Sequence, residues 1–272
     1  MAKSKNKATV AEITAKLAYC DDRELQQLNR DCRCSVRNLV RREQVRRVNL
    51  IKEKNRLAHL LTYEQPLWHK GLQYIAGVDE AGVGPLAGPV VAAAVVLPIG
   101  CSIEGINDSK KLSARKRDTL AQQIKNISVA YAIAHCSVNE IDNLNIYHAA
   151  LEAMRRAVVA LNCSVQHLLV DARRIPKVDI PQTAIISGDA KSQSIAAASI
   201  LAKTHRDQLM CTLAQKHPGY GLEKHKGYGT AEHIAAIKQL GPASIHRRSF
   251  RPVSQLTLYT LLSSTGSKIT RN

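Results

Sequence analysis

The 272 residues carry 39 Lys and Arg against 22 Asp and Glu, a formal net charge of +17, with 45% hydrophobic and only 4% aromatic residues. That composition supports a sizeable aliphatic, Ala-rich core, and the excess charge points to a polyanionic partner, nucleic acid being the leading class. It excludes a membrane-inserted protein, because no stretch is long or apolar enough, and a disulfide scaffold, because the seven cysteines are odd in number with Cys32-x-Cys34 their only close pair.

The charge is spread along the chain. Residues 1 to 74 hold 16 basic and 8 acidic residues, a net of +8, which leaves +9 of the total +17 for the remainder. The opening MAKSKNKATVAEI is charged and lacks an apolar run, so no signal peptide is expected; free thiols in a reducing, cytoplasmic setting are the expectation.

In chain order, the first 70 residues read as helical. Thr9 and Glu12 form a capping box ahead of ITAKL, and Asp21 and Asp22 can cap a second short helix, ELQQL. A long third helix is expected from about Ser35 to Leu61, carrying Arg37, Arg41, Arg42, Arg46, Arg47, Lys52, Lys54 and Arg56 on its polar surface. A solvated face and a nucleic-acid contact are equally open readings of it. Pro66 is expected to end this region.

The period then changes. Gln73 to Asp79 reads as a strand, Val90 to Leu97 as a buried second strand, and residues 127 to 138 as a third. Helices are expected from Ser113 to Lys125 and from Asn145 to Leu161. Strands follow at 167 to 171 and 182 to 187, then a long Ala-rich helix from about Ser192 to Gln215 and a last helix from Thr230 to Leu240. Intermingled strands and helices point to an α/β sheet flanked by helices.

Four acids stand at strand or helix ends: Asp79 and Glu80 after the first strand, Asp171 after HLLV, and Asp189 before the long helix. Two adjacent carboxylates between apolar runs resist desolvation and call for a cation. Convergent carboxylates without His or Cys suit Mg²⁺ or Mn²⁺, and two such ions can clamp an in-line displacement at phosphorus. The glycines Gly82, Gly84 and Gly88 directly after Glu80 let backbone N–H groups approach phosphate. Plainer readings compete: Asp189 as a helix N-cap, Asp171 as a turn former, the Asp108-Ser109-Lys110-Lys111 stretch as a solvated turn, Tyr228 as a loop tyrosine.

The motifs GVDEAG (77 to 82), GPLAGPVVAAAV (84 to 95), INDSKKLS (106 to 113), LLVDA (168 to 172), GDAKSQSIAAASILAKTHRD (188 to 207), HKGYGTAEH (225 to 233) and IHRRSF (245 to 250) occur in order. In these, residues 72 to about 252 resemble bacterial ribonuclease HII, the type 2 ribonuclease H. The resemblance implies a ribonuclease H-like fold: a five-stranded mixed sheet flanked by helices, with a helical C-terminal part. That fold would occupy 71–272, behind a basic helical extension at 1–70. It implies an endonuclease that cuts the RNA strand of RNA–DNA hybrids and 5′ of single ribonucleotides in duplex DNA, leaving 3′-hydroxyl and 5′-phosphate ends. That places it in DNA replication and ribonucleotide excision repair, as a cytoplasmic monomer.

By motif, Asp79, Glu80 and Asp171 are the implied metal ligands and Asp189 completes the catalytic acids. Gly82, Val83, Gly84, Ser109 and Lys110 are implied substrate contacts, with Tyr228 stacking on the sugar beside the ribonucleotide. Lys191, Lys203, His205, Lys224, His225 and Lys226 are candidates to track the duplex backbone, and His246, Arg247 and Arg248 either contact phosphate or pack the final segment. The family turn reads Gly-Arg-Gly, whereas this chain has Val83. A missing guanidinium removes a bidentate phosphate contact, and a β-branched residue there is expected to strain the turn. Two other readings stay open: a nucleic-acid-binding protein of this fold with weak or no catalysis, and a different carboxylate nuclease.

Overall fold

The structure, a computed structural model, describes residues 8–255. Contacts divide the chain at Ala58 and His59 into two units. In the first, α1 (Val10–Leu17) and α2 (Asp22–Asn29) each begin on a capping box, at Thr9 with Glu12 and at Asp21 with Glu24. They pack Ile13, Leu17 and Leu25 onto Val36 and Val40 of α3 (Cys34–His59). Glu43, near this core, is held by Arg46 at 2.7 Å and Arg47 at 3.0 Å.

The second unit is built on a five-stranded sheet in the order β3-β2-β1-β4-β5. Its strands are β1 (Ile75–Ala81), β2 (Val90–Val96), β3 (Ala130–Cys136), β4 (His167–Asp171) and β5 (Gln182–Ile185). β1–β2 and β2–β3 pair antiparallel, β1–β4 and β4–β5 parallel, so the sheet is mixed. β2 is buried throughout, which is why it reads as an unbroken apolar run.

Strand alternation splits the core into two faces. Ala76, Val78, Ala92, Ala94, Leu168 and Val170 cluster with the apolar side of α7 (Ile146–Val159). The opposite face takes α8 (Gln193–Lys216), whose Ala196, Ala197, Ala198 and Ala202 are buried. That helix lies so near β1 that a Cβ at Gly77 would sit 2.0 Å from the Ser194 carbonyl carbon, so only glycine fits there. The remaining helices are α4 (Glu64–His69), α5 (Ala114–Ile127), α6 (Val138–Leu144), α9 (Leu222–His225) and α10 (Ala231–Leu240).

Some sequence expectations need correction. Pro66 does not end the helical region but lies within α4, in a first turn where its missing N–H leaves no bond unmade. The third strand is shorter than 127 to 138, because Ser137 makes a capping box with Glu140 and starts α6. Residues 59 to 70 pack within the second unit: the Leu60 carbonyl accepts from Gln193 N at 2.9 Å. The buried Glu64 carboxylate accepts from Ser192 Oγ at 2.6 Å and Ser194 N at 3.0 Å.

Candidate metal centre and substrate cleft

Because β1 and β4 run parallel with Val78 opposite Val170, the next residues, Asp79 and Asp171, emerge side by side at the centre of the sheet. Glu80 follows on the other face of β1. One carboxylate oxygen from each of Asp79, Glu80 and Asp171 lies within 4.8 Å of the other two. Asp79 is 5% exposed. Its Oδ1 accepts from Glu80 N at 2.7 Å, and Ser199 of α8 lines the same cleft with its Oγ 3.0 Å from Ser109 Oγ. Asp171 Oδ1 accepts from Gly188 N at 2.6 Å, which ties β4 to a 3-10 turn, Gly188–Ala190, that carries Asp189. Asp189 is therefore not the cap of α8; Ser192 is.

The electrostatics are those of a site short of positive charge. Burial, then the charges of Glu80 and Asp171, hold the Asp79 carboxyl well above the usual range. Burial also pushes Glu80 up, against the pull of Arg173. Asp189 is raised by burial and by Asp108 and Asp171, with Lys110 opposing. Glu80 Oε2 is buried with no hydrogen-bond partner. A buried carboxylate oxygen left so is costly, and a divalent cation removes that cost. The donor set is all hard oxygen, which fits Mg²⁺ or Mn²⁺.

These acids open into a cleft of about 190 Å³ that Gly82, Val83, Gly84, Ser109, Lys110, Lys203 and Tyr228 also line. The four acids and the implied substrate contacts Gly82, Val83, Gly84, Ser109, Lys110 and Tyr228 therefore line one cleft. Asp108 caps the short 3-10 turn that presents Lys110, accepting its backbone N–H at 2.9 Å. Tyr228 is 41% exposed, its ring beside Gly84 with Lys203 Nζ 5.7 Å from its centroid.

The glycine turn is not strained at Val83. Gly82 takes the left-handed conformation, φ +95°, and a Cβ there would lie 2.1 Å from Arg206 Nε. Val83 stays outside that region and rests on the apolar cluster of the α7 face. Two fully buried arginines brace this turn. Arg206 donates to the carbonyls of Pro89, Ala87 and Lys226 at 3.0–3.1 Å. Arg247 donates to Gly88, Val83 and Gly82 at 2.6–2.9 Å. Arg247 thus packs, and so does His246, whose Nε2 meets His233 Nε2 at 3.2 Å.

A second groove of about 570 Å³ shares Lys203 and Tyr228 with the cleft and adds Arg117, Lys224, His225 and Lys226. Lys224 is paired with Glu232 at 3.0 Å, and His225 stacks on His233 at 4.4 Å. Lys191 and His205 line neither cavity. Ser199, Arg206 and Arg173 carry no individual marker in the sequence, since each acts through a contact made by remote segments.

A family model described as Ribonuclease HII matches residues 76–253, and one described as Ribonuclease HII N-terminal domain matches residues 9–68. The Ribonuclease HII of Myxococcus xanthus is 53% identical over 232 residues, 85% of this chain and 79% of that protein. That of Bacillus cereus is 48% identical over 236 residues, 87% of this chain and 91% of the relative. Among solved structures, ribonuclease H2 from Pyrococcus horikoshii is 28% identical with a TM-score of 0.59, covering 68% of this chain and 97% of that one. Bst-RNase HIII in complex with Mn²⁺, 18% identical with a TM-score of 0.53 over 69% of this chain and 70% of that one, shares the fold. The chain belongs to the ribonuclease HII family and is a type 2 ribonuclease H.

Proposed function

We propose that the chain is an endonuclease that cuts the RNA strand of RNA–DNA hybrids and cuts 5′ of single ribonucleotides in duplex DNA. The products carry 3′-hydroxyl and 5′-phosphate ends, and the enzyme works as a cytoplasmic monomer in replication and ribonucleotide repair. The observation that carries this reading is the convergence of Asp79, Glu80, Asp171 and Asp189 with the glycine turn, Lys110 and Tyr228 in one cleft.

Asp79, Glu80 and Asp171 would hold Mg²⁺ or Mn²⁺. When bound, such ions supply activation of the attacking water and stabilisation of the leaving oxygen. The chain's own residues do the rest. Gly82 and Gly84 bring backbone close to the ribose, so a 2′-hydroxyl can be read by hydrogen bonding that deoxyribose cannot offer. Lys110 and Lys203 give positive charge to neighbouring phosphates. The exposed Tyr228 ring offers a stacking face for the adjoining sugar. Asp189, raised by burial, has the carboxyl character of a proton carrier beside the cluster. Val83 supplies no charge, which weakens the hold on one phosphate and leaves the metal ligands intact.

One gel tests the reading: the protein with Mg²⁺ or Mn²⁺ and an all-DNA duplex, an RNA–DNA hybrid, or a duplex with one ribonucleotide. Cleavage of the last two only is expected. Cutting of the all-DNA duplex would favour another carboxylate nuclease, and silence on all three would favour a binding protein that Val83 has weakened.

A further inference from the structure

Arg173 stands two residues after Asp171, on the far side of a strained turn. Ala172 adopts φ +53°, a left-handed conformation unfavourable for a residue with a Cβ, and Arg173 N donates to the Asp171 carbonyl at 2.6 Å. The turn delivers the guanidinium to Glu80, with Nη1 3.8 Å from Oε1. This is the longest ion pair among the described residues; Arg46–Glu43, Arg155–Glu152 and Arg156–Glu140 close to 2.6–2.8 Å. At 3.8 Å no hydrogen bond forms. Nη1 is buried with no acceptor, just as Glu80 Oε2 is buried with no donor. The guanidinium also lies 5.0 Å from the Tyr147 ring centroid, a cation–π contact that holds it back.

A purely structural salt bridge would close both of these open atoms on each other. Here the charge is delivered and the contact withheld. We propose that Arg173 is the resident counter-cation of the acid cluster: a positioning residue held off Glu80, so that it keeps the carboxylates assembled without occupying them. Its charge then sets the divalent-ion concentration at which the cluster fills. The inference rests on the metal-centre reading of Asp79, Glu80 and Asp171. A fixed positive charge this near opposes an incoming divalent ion, so the variant lacking it binds the ion more tightly.

The test is Mn²⁺ binding to the full chain, followed by loss of the free-ion electron paramagnetic resonance signal. Arg173→Gln is expected to take up Mn²⁺ at a concentration at least about tenfold lower than the parent, whereas Arg173→Lys stays within about threefold. Unchanged or weaker binding in Arg173→Gln overturns the proposal. Should that variant fail to fold, Tyr147→Leu removes the contact that holds the guanidinium off Glu80, so Arg173 closes on the carboxylate and Mn²⁺ uptake needs a concentration at least about threefold higher; no shift, or tighter binding, there overturns it equally. Asp79→Asn separates the two readings: if it leaves Mn²⁺ uptake intact, the metal centre itself is wrongly placed, and the counter-cation falls with it. If Asp79 is required and the Arg173 variants do not shift binding, only the counter-cation fails.

Discussion

Restoring a guanidinium in the glycine turn, Val83→Arg, should raise cleavage at a single ribonucleotide. A charged hydrogen bond to phosphate is worth about 1.5–3 kcal/mol, which is roughly one to two decades in kcat/KM. The turn can accept the change, because Gly82 alone carries the left-handed conformation, and the Val83 carbonyl, not its side chain, is what Arg247 holds at 2.9 Å. There is a penalty. Val83 is half-buried against the α7-face cluster, so removing its methyl groups should cost about 1 kcal/mol, or about 2–4 °C in Tm. Single-turnover cleavage of a one-ribonucleotide duplex, with Val83→Lys and Val83→Leu as controls, separates charge from size. Arg should gain most, Lys less, and Leu nothing. Unchanged kcat/KM for Val83→Arg, with Mn²⁺ affinity intact, would refute the claim that this turn lacks a phosphate contact.

Acid should loosen the part of the fold that carries Tyr228. Burial and the neighbouring His233 hold His246 down to about 4 from an ordinary 6.5. The unfolded chain therefore binds a proton that the folded one refuses, and stability falls as pH drops from 6.5 toward 4, by up to roughly 3 kcal/mol. Denaturant unfolding at pH 7 and pH 4.5 checks this, and equal midpoints would contradict it. Deleting residues 1–58 should leave the second unit folded, whereas deleting 1–70 should cost about 5 kcal/mol. The longer cut removes the Leu60 and Glu64 acceptors of α8 and the packing of Leu67 and Trp68 on Ile75, Leu169 and Ile195. Similar melting temperatures for the two truncations would argue against it. Arg41, Arg42 and Lys52 of α3 are exposed, have no ion pair among the described residues, and have no acid three or four positions away. Changing all three to Gln should lower the slope of log Kd against log salt for a hybrid by about 0.9 per residue that meets a phosphate. An unchanged slope would make this face merely solvated.

Much of this is legible in the amino-acid sequence. Each of the five strands could be placed from its apolar run, and the long helix from its alanines. Strand-end acids announced a shared edge, because parallel neighbours put their C-terminal ends together, as Val78 opposite Val170 does for Asp79 and Asp171. What stayed hidden depends on contacts between remote segments. Arg206 has no marker in the sequence and Arg247 reads equally as a phosphate contact or a packing residue, yet both are fully buried and hold backbone carbonyls at and beside the turn. α6 has no counterpart among the sequence expectations, whose third strand overlaps it only at Val138, because VNEIDNL is short and its start rests on one capping box at Ser137. The strain expected at Val83 did not arise, because sequence alone does not say which residue of Gly82-Val83-Gly84 takes the positive φ. Arg173 carried no pattern at all; only the turn at Ala172 brings it to Glu80.

The most direct test of the central claim is end-mapped cleavage of a duplex with one ribonucleotide, with Mn²⁺ or Mg²⁺, comparing the parent chain with Asp79→Asn and Asp171→Asn. The cluster reading predicts a single cut 5′ of the ribonucleotide with 3′-hydroxyl and 5′-phosphate ends, abolished by chelator and reduced by at least about a thousandfold in each variant. Cleavage that survives either substitution, or that leaves a 2′,3′-cyclic phosphate, would contradict it.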